Sequence, residues 1–265
     1  MLRGLYTAGA GMITETLRTD TIANNLANVD TTGYKKDTMI SEEFAPILLR
    51  RINDSSKGTD VTAFKGFSAA SQAPVVGALG RGSLVSEIAT NFEQGGFKTT
   101  GNTLDMAISG RGYFVVNTPQ GQRYTRNGSF SRSTAGQLVT SDGNAVLDTN
   151  GRPITLPGNG TVTVSADGRI YDDGQNQIAQ LQLVDFANRR AILKQGSSLF
   201  YPQAGAQPQA ATGTVQQGFL ESSNVNVVAE MVKLISNYRT YEADSKALTT
   251  QDSLLDKAVN EVGKV

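Results

Sequence analysis

The stretch NGSFSRSTAGQLVTSDGNAVLDTNGRPITLPGNGTVTVSADGRIYDDG (Asn127–Gly174) decides the fold of this chain. Within it, an Asn-Gly or Asp-Gly dipeptide begins at residues 127, 142, 150, 159, 167 and 173. Such dipeptides favour the left-handed backbone that a two-residue hairpin turn requires. Short β-type runs lie between them (AVLD, TVTV and RIY) and on either side (YFVV before, QLQLVDF after). The stretch therefore predicts closely spaced hairpins in an antiparallel sheet.

This β texture extends over residues 68–221, which we predict to form a central, Gly-rich antiparallel β domain. Both ends of the chain follow helical spacing instead. Residues 36–67 fit neither texture and predict a linker. Within it, SEEFAPILLRRI (residues 41–52) predicts a short helix broken by Pro46, and NDSSKGTD after it predicts a flexible loop. The predicted fold class is α+β, mainly β with terminal helices.

The C-terminal region, Val225 to Gly263, carries an apolar seam that predicts a long helix. The seam steps by four and three residues through Val227, Met231, Leu234, Tyr238, Tyr241, Ser245, Leu248, Asp252, Leu255, Val259 and Val262. Val228, Val232 and Ile235 widen the stripe at its start. A wide stripe favours packing into a bundle or wall over packing into a two-stranded coil.

Residues 1–35 predict a second helix, with Leu5 and Met12 on its seam and Gly33 as its C-terminal stop. Glycines inside this helix each cost about 1 kcal/mol relative to alanine, so it should be weak alone. Neither terminal helix can bury its stripe by itself. We therefore predict that residues 1–35 and 222–265 form one helical assembly module, in which the helices pack on each other in a coiled-coil-like manner or on other copies.

Three asparagines interrupt the apolar stripe of the N-terminal helix; they are Asn24, Asn25 and Asn28. The apolar residues of that face are Ile22, Leu26 and Val29. An unpaired buried amide costs about 1–3 kcal/mol, so amides in a contact between subunits penalise wrong registers. One hypothesis is that the asparagines fix the register between neighbouring subunits. The alternative is that Asn28 and Asp30 end the helix and cap the loop after it.

The composition narrows the classes of function. The chain has 265 residues, with 24 Lys and Arg against 24 Asp and Glu, and it contains no cysteine or histidine. Zero net charge gives no attraction to nucleic acid or to an anionic membrane. The apolar runs are shorter than the ~18 residues that a membrane span needs. The first residues lack the pattern of a cleaved secretory signal. We therefore expect a chain that is cytosolic or exported by another route.

Candidate chemical sites are weak, and we predict no catalytic, metal or cofactor-binding residue. GRGYF (residues 110–114) has one G-x-G, but the third glycine of a dinucleotide fingerprint is replaced by Val115. GFKTTG (residues 96–101) resembles a phosphate loop, but Asn91 stands where the first glycine should be. A cluster of carboxylates lacks calcium-loop spacing and fits hairpin turns instead; its members are Asp167, Asp172 and Asp173. A pair of distant carboxylates remains open as an enzyme alternative.

Four segments, in order, resemble the flagellar axial proteins, which are the rod, hook and hook-associated subunits. ANNLANVDTTGYKK (Ala23–Lys36) resembles their N-terminal signature, and TLDMAISGRGYFVV (Thr103–Val116) is similar to the start of their β domain. YTRNGSFSRSTAGQLVTSDGNAVLDTNGRPITLP (Tyr124–Pro157) resembles their hairpin run. GFLESSNVNVVAEMVKLISNYRTYEADSKAL (Gly218–Leu248) looks like their C-terminal helix motif. Having a single β domain favours a basal-body rod protein, of distal or proximal type.

The resemblance implies a structural, non-enzymatic subunit of the flagellar basal body in the cell envelope. Terminal helices of many copies would pack into the wall of a hollow shaft that transmits torque and passes exported subunits, with the β domain outside. Open head-to-tail contacts generate a helical assembly. The implied partners are other copies, other rod and hook subunits and the flagellar type III export apparatus. Bushing-ring proteins or peptidoglycan are further possible contacts. The alternative is a fibre-like surface or phage-type binding protein that forms a closed oligomer.

The resemblance assigns subunit-interface residues to both terminal helices. Those on the N-terminal helix are Leu5, Met12, Ile22, Asn24, Asn25, Leu26, Asn28 and Val29. Those on the C-terminal helix are Val227, Met231, Leu234, Tyr238, Tyr241, Leu248 and Leu255. Phe44 and Leu48 match a candidate export signal, in which an apolar residue follows a phenylalanine by four positions. A small apolar patch under a loop explains these two residues equally well.

Overall fold

A helix near each end of the chain flanks a long series of short strands. The computed structural model describes residues 2–50, 75–158, 160–196 and 198–262. Over these residues the chain is mainly β, with helix α1 (Leu2–Ala27) first and helix α2 (Val227–Lys257) last, followed by a π-helical turn (Ala258–Val262). This confirms the α+β class. A 3₁₀ turn (Arg189–Ala191) interrupts the strands.

The strands are short, and most are two to five residues long. In chain order they are β1 (Asp37–Glu43), β2 (Ile47–Arg50), β3 (Val75–Leu79), β4 (Ser83–Thr90), β5 (Phe97–Thr99), β6 (Met106–Ser109), β7 (Tyr113–Thr118), β8 (Gly121–Thr125), β9 (Phe130–Arg132), β10 (Leu138–Thr140), β11 (Ala145–Val146), β12 (Thr163–Val164), β13 (Arg169–Tyr171), β14 (Gln177–Gln180), β15 (Leu183–Phe186), β16 (Ile192–Gln195), β17 (Leu199–Pro202), β18 (Pro208–Ala210), β19 (Thr214–Gln217) and β20 (Phe219–Glu221).

Contacts divide the chain into two compact units. The first, here called the helical unit, comprises the described residues of Met1–Asp20, Met39–Ile88 and Leu234–Val265. The second, here called the β unit, comprises Thr21–Thr38 and the described residues of Ala89–Lys233. Each terminal helix therefore begins in one unit and ends in the other.

The main sheet of the β unit is antiparallel and is organised around β7. This strand pairs with β8, β11 and β15, and the sheet order is β16-β17-β8-β7-β11-β10-β9. Side chains of a strand alternate between faces, and both faces of β7 are buried. Phe114 and Val116 join one hydrophobic cluster, and Tyr113 and Val115 join another. The run YFVV is therefore the centre of the β unit.

Most of the predicted hairpins are present. Asp142-Gly143 joins the paired strands β10 and β11, and Asp167-Gly168 joins β12 and β13. Asp173-Gly174 joins β13 and β14, and Asn150-Gly151 turns between bridged Leu147 and Pro153. Asn159-Gly160 involves a residue outside the described ones.

The hairpin prediction is wrong at Asn127-Gly128. The strands on either side do not pair with each other, because β8 pairs with β7 and β17 while β9 pairs with β10. Gly128 instead allows a close backbone approach, since a Cβ there would lie 1.6 Å from the carbonyl oxygen of Met106. A dipeptide pattern cannot separate a hairpin glycine from one that is required by close packing.

The linker prediction is also wrong about local structure. The segment Ser41–Arg50 forms the end of β1 and all of β2, where a short helix was predicted. Strand β2 pairs with β3, which follows far later in the chain. Pro46 lies between the two strands, where its missing N–H costs no ladder hydrogen bond. The predicted loop NDSSKGTD lies outside the described residues.

The N-terminal helix is shorter than predicted. It ends at Ala27, so Asn28 and Val29 lie in the turns that follow, and Gly33 is not its C-cap. Gly33 does have a positive φ of 69°. The C-terminal prediction was closer, because α2 and its π-helical turn together cover 227–262 of the predicted 225–263.

Candidate functional site

Helix α1 presents apolar side chains to solvent in the helical unit. Tyr6, Ile13 and Leu17 are exposed, Tyr6 by 74% and Ile13 by 65%. Their spacing of seven and four residues places them on one helical face. Buried positions of the same helix include Ala8 and Thr14, which point elsewhere. An apolar face of this kind, with Tyr6 and Ile13 more than half exposed, is typical of a protein contact surface.

The helical unit also brings α1 against α2 through polar and small residues. The Asn237 side-chain amide donates to the carbonyl of Glu15 (2.7 Å) and to the hydroxyl of Thr19 (2.6 Å). A Cβ on Gly11 would lie 2.6 Å from the carboxylate of Asp244, so the glycine allows a close approach. Helix propensity alone predicts that this glycine weakens the helix, and no signal in the sequence identifies Asn237 as a contact between the two helices.

Helix α2 has its own exposed apolar side chains. In the helical unit these are Ile235, Tyr238, Tyr241 and Leu254, and Val259 of the π-helical turn is exposed as well. In the β unit they are Val228, Met231 and Val232. Four of the predicted interface residues are therefore exposed in the single chain: Met231, Tyr238 and Tyr241 on this helix, and Asn24 on α1.

The other predicted interface residues are less exposed. Leu5, Met12 and Leu26 on α1 are half-buried, as is Val29 beyond it, and Ile22 is buried. Half-buried residues on α2 are Val227, Leu234, Leu248 and Leu255. Within each helix, the more exposed apolar residues often stand beside the predicted positions and not on them. The seam assigned from spacing and the outward face therefore overlap only in part.

Asn25 is 1% exposed, and its hydrogen bonds stay within its own chain. Its Nδ2 donates to the carbonyl oxygen of Asp37, and its Oδ1 accepts from the Asp37 N–H, both at 2.8 Å. The Tyr34 hydroxyl donates to the same Oδ1 (3.2 Å). This geometry accounts for Asn25 without a neighbouring subunit.

Asn24 and Asn28 act at the end of α1. The Asn28 side-chain amide donates to the carbonyl oxygen of Asn24 (2.9 Å), in the last turn of the helix, and the Asn28 N–H donates to the same oxygen (3.2 Å). Thr31 donates to Asn28, and the Tyr34 hydroxyl donates to Asn24. These bonds correspond to the alternative in which Asn28 helps to end the helix.

Within the β unit, Tyr34 and Asp37 connect this network to Lys194. The Lys194 ammonium contacts the Asp37 carboxylate at 2.9 Å and lies 3.7 Å from the centre of the Tyr34 ring. Burial raises the pKa of Tyr34 above its ordinary value, and the Asp37 charge adds to that effect. Burial lowers the pKa of Lys194, and the Asp37 carboxylate opposes that shift. The signature stretch thus ends in a packed polar cluster.

A buried ion cluster lies next to it. Glu221 contacts Lys35 (Nζ to Oε1, 2.5 Å) and Arg126 (Nη1 to Oε2, 3.2 Å), and all three side chains are at most 5% exposed. Lys35 also donates to the carbonyl of Glu93, and Arg126 donates to the carbonyl of Gly110. Burial lowers the pKa of Lys35, and the nearby Glu221 charge acts against that shift.

Backbone contacts fasten the same segment. The Gly33 N–H donates to the Glu221 carbonyl (2.7 Å), and the Lys36 N–H donates to the side chain of Asn224 (2.8 Å). A Cβ on Gly33 would lie 2.5 Å from the backbone of Arg126 and Asn127. The residues after α1 and those before α2 therefore meet in one junction. We refer to Asn25, Gly33–Asp37, Arg126, Lys194 and Glu221–Asn224 as the signature junction.

The weak chemical motifs have structural roles in the described residues. Gly110, from the lone G-x-G, supplies the carbonyl that Arg126 binds. Asp173 accepts from Thr161, Asp172 accepts from Asn176, and Asp167 pairs with Arg169. No group of three or more potential metal ligands occurs in the described part of the chain. No helix described there is long and apolar enough to cross a membrane.

The two candidate export residues lie in the helical unit. Phe44 is 42% exposed, and the Arg81 guanidinium lies 5.0 Å from the centre of its ring. Leu48 lies in β2, where its backbone pairs with that of Ala78. In the folded chain Phe44 thus packs beside an arginine, while its role in export stays a prediction.

Comparison with known protein families gives three matches along the chain. Residues 5–35 match the family described as flagella basal body rod protein. Residues 107–172 match the flagellar hook protein FlgE/F/G D1 domain. Residues 216–261 match the flagellar basal body rod FlgEFG protein C-terminal family. The first match includes Asn25 and the first three residues of Gly33–Asp37 from the signature junction, and the last match includes Glu221–Asn224.

Full-length relatives agree with the family matches. The rod protein FlgG of Borreliella burgdorferi is 35% identical, and the alignment covers 98% of each chain. FlgG of Bacillus subtilis is 34% identical over 98% of this chain and 99% of its own. FlgF of Caulobacter vibrioides is 35% identical over the full length of both.

Fold, junction and exposed helix faces together define a class: a structural protein with a β unit and with terminal helices that carry exposed apolar side chains. Within that class, the chain belongs to the flagellar basal-body rod protein family (FlgG/FlgF). It is a structural subunit of the bacterial flagellar rod, located in the basal body.

Proposed function

We propose that copies of this subunit assemble head to tail into a helical tube through the outward faces of α1 and α2. The observation that carries the proposal is the exposure of Tyr6, Ile13 and Leu17 on α1 and of Ile235 and Tyr238 on α2. Burying one such side chain contributes about 1.5–3 kcal/mol. Repeated in every copy, these small contributions support a long assembly.

Contacts that do not close on themselves generate a filament, and a closed ring or trimer requires a different geometry. A filament of this kind carries torque along its axis through many interfaces acting together. The partners that we propose are further copies and the rod and hook subunits above and below. We also propose that the β unit contacts bushing-ring proteins or peptidoglycan.

We further propose that the chain reaches the growing tip through the flagellar type III export apparatus in a largely unfolded state. Its composition is compatible with this route, because it has no cysteine and so forms no disulfide that would have to be opened. Phe44 and Leu48 are the proposed recognition residues. Exchange of Phe44 for alanine should lower secretion, while exchange of exposed Ile40 for alanine should not.

Charge substitutions on the outward faces test the assembly proposal. Ile13→Asp and Ile235→Asp should each block rod assembly and motility in cells, while the purified chains keep the helical content of the wild type. Thr16→Asp and Ser236→Asp are matched controls on exposed polar positions of the same helices. Normal motility with both apolar substitutions contradicts the proposal. A purified chain that forms a stable closed trimer supports the fibre-like alternative.

A further inference from the structure

The ion cluster of the signature junction joins residues that are far apart in the chain. Glu221 lies 186 positions after Lys35 and 95 positions after Arg126. All three belong to the β unit. Within the described residues, the recorded salt bridges of Lys35 and Arg126 both go to Glu221. We propose that Glu221 is a closing ion: the β unit folds stably only when this carboxylate, from the C-terminal part of the chain, pairs with the two buried cations.

The surroundings of Glu221 leave little room for water to replace it. Its side chain is fully buried, and its Oε1 also accepts from the Gly95 N–H (3.0 Å). Its backbone carbonyl accepts from Gly33. Residue 221 is therefore fixed on both its side chain and its backbone, by segments that precede it by 95 positions or more.

Burying the two cations without their counter-ion costs free energy, and this cost makes folding depend on Glu221. Apart from their bonds to Glu221, the side chains of Lys35 and Arg126 donate to the backbone carbonyls of Glu93, Ile108 and Gly110, in segments that lie before residue 140. A buried cation without its counter-ion is strongly destabilising, whereas a buried pair replaced by neutral residues often is not. Until Glu221 enters, closing these segments buries two positive charges against carbonyl dipoles alone. The open state is therefore favoured while the C-terminal segment is absent.

Strand pairing reinforces the same order. Strand β20, which ends at Glu221, pairs with β5, and β19 just before it pairs with β6. Strand β6 supplies the Ile108 carbonyl that Arg126 binds at 3.0 Å. One late segment, residues 214–221, thus completes two sheets and neutralises the cluster together. One consequence rests on the proposed function. If the chain is exported unfolded, the β unit of a chain that has not yet delivered residues 214–221 stays open.

A double-mutant cycle in the full chain tests the closing-ion proposal in vitro, independently of export. Glu221→Gln keeps the shape of the side chain and removes its charge. We expect it to lower the folding equilibrium constant of the β unit by at least about 100-fold. Lys35→Met removes one of the two buried cations and leaves the Arg126–Glu221 pair. In the Lys35→Met chain, the factor by which Glu221→Gln lowers the folding equilibrium constant should be at least about 10 times smaller.

Hydrogen exchange locates the effect and keeps the test decisive when a variant does not fold. If Glu221→Gln leaves the chain unfolded, recovery of protection at Ile108 and Gly110 in the Lys35→Met/Glu221→Gln chain supports the proposal. Equal losses from Glu221→Gln in both backgrounds, or no recovery, overturn it. Asp142→Asn, which removes an exposed charge from the same unit, is the control and should leave protection unchanged.

Discussion

Asn25 pairs with both backbone groups of Asp37, twelve residues further along the chain. Its amide donates to the Asp37 carbonyl and its oxygen accepts from the Asp37 N–H, each at 2.8 Å. The side chain thus imitates a strand partner at the point where α1 gives way to β1. An asparagine in the apolar stripe of a helix serves the fold of its own chain, and the contact that it fixes is between helix and strand.

We expect Asn25→Leu to destabilise the isolated subunit by about 2 kcal/mol, because both backbone groups of Asp37 lose their partner. Urea unfolding of the purified chain measures the change. Asn24→Leu is the matched control at an exposed position and should cost less than about 1 kcal/mol. An Asn25→Leu chain with wild-type stability but defective assembly would restore the register hypothesis.

Gly33 should tolerate no side chain. Gly33→Ala places a Cβ 2.5 Å from backbone atoms of Arg126 and Asn127, which cannot move without opening the junction. We expect a loss of more than about 3 kcal/mol, measured by chemical unfolding. Gly151→Ala is the control, since its φ of 73° is similar but a Cβ there meets open space. It should cost only about 1 kcal/mol, and equal losses at the two sites would argue against close packing at Gly33.

Asn237 should hold the two helices together in the helical unit. Its amide donates to Glu15 and Thr19 of α1, and the side chain is 4% exposed. We expect Asn237→Ala to lower the stability of this unit by about 2 kcal/mol. Faster amide exchange along the first part of α1 reports the change. Ser236→Ala, on the exposed neighbouring position, should stay within about 0.5 kcal/mol.

Tyr113 makes the stability of the β unit fall at high pH. Burial raises its pKa from 10.0 to about 12. The unfolded chain therefore loses this proton before the folded chain does, and stability declines as the pH rises from 10 towards 12. A shift of this size corresponds to about 3 kcal/mol. Denaturant unfolding from pH 9 to 12 should show a shallower decline in Tyr113→Phe than in the wild type.

The control for this pH prediction is the set of other buried groups. Burial lowers the pKa of Lys35 and of Lys194, so both add stability as the pH rises towards 10.5. Burial raises the pKa of Tyr34 and of Tyr124, so both remove stability above pH 10, in the same direction as Tyr113. These contributions are common to the wild type and the Tyr113→Phe chain, and they cancel in their difference. Parallel pH curves for the two chains would contradict the assignment to Tyr113.

Local signals in the sequence predicted much of the fold. The hairpins at Asp142-Gly143, Asp167-Gly168 and Asp173-Gly174 followed from turn chemistry that is complete within a few residues. The long helix α2 followed from its period. The strand β2 did not, because its partner β3 lies beyond a long intervening segment and pairing, not propensity, decides its conformation.

The signature junction was beyond prediction for a related reason. Lys35, Arg126 and Glu221 are ordinary charged residues in the sequence, and only the fold brings them together. The asparagines are conspicuous in the sequence because they interrupt an apolar stripe. Their spacing does not tell whether their hydrogen-bond partners lie in another subunit or in the same chain. For Asn25, the distance to Asp37 decides that question.

We propose that the β unit is complete in the single chain, whereas the outward faces of the terminal helices become buried only against other copies. Hydrogen exchange on the purified subunit, before and after assembly, tests it most directly. We expect β7 to be strongly protected in both states, and Tyr6–Leu17 and Ile235–Val259 to be less protected than β7 in the single chain and to gain protection on assembly. Terminal helices that are as protected as β7 in the single chain, and unchanged on assembly, would contradict it.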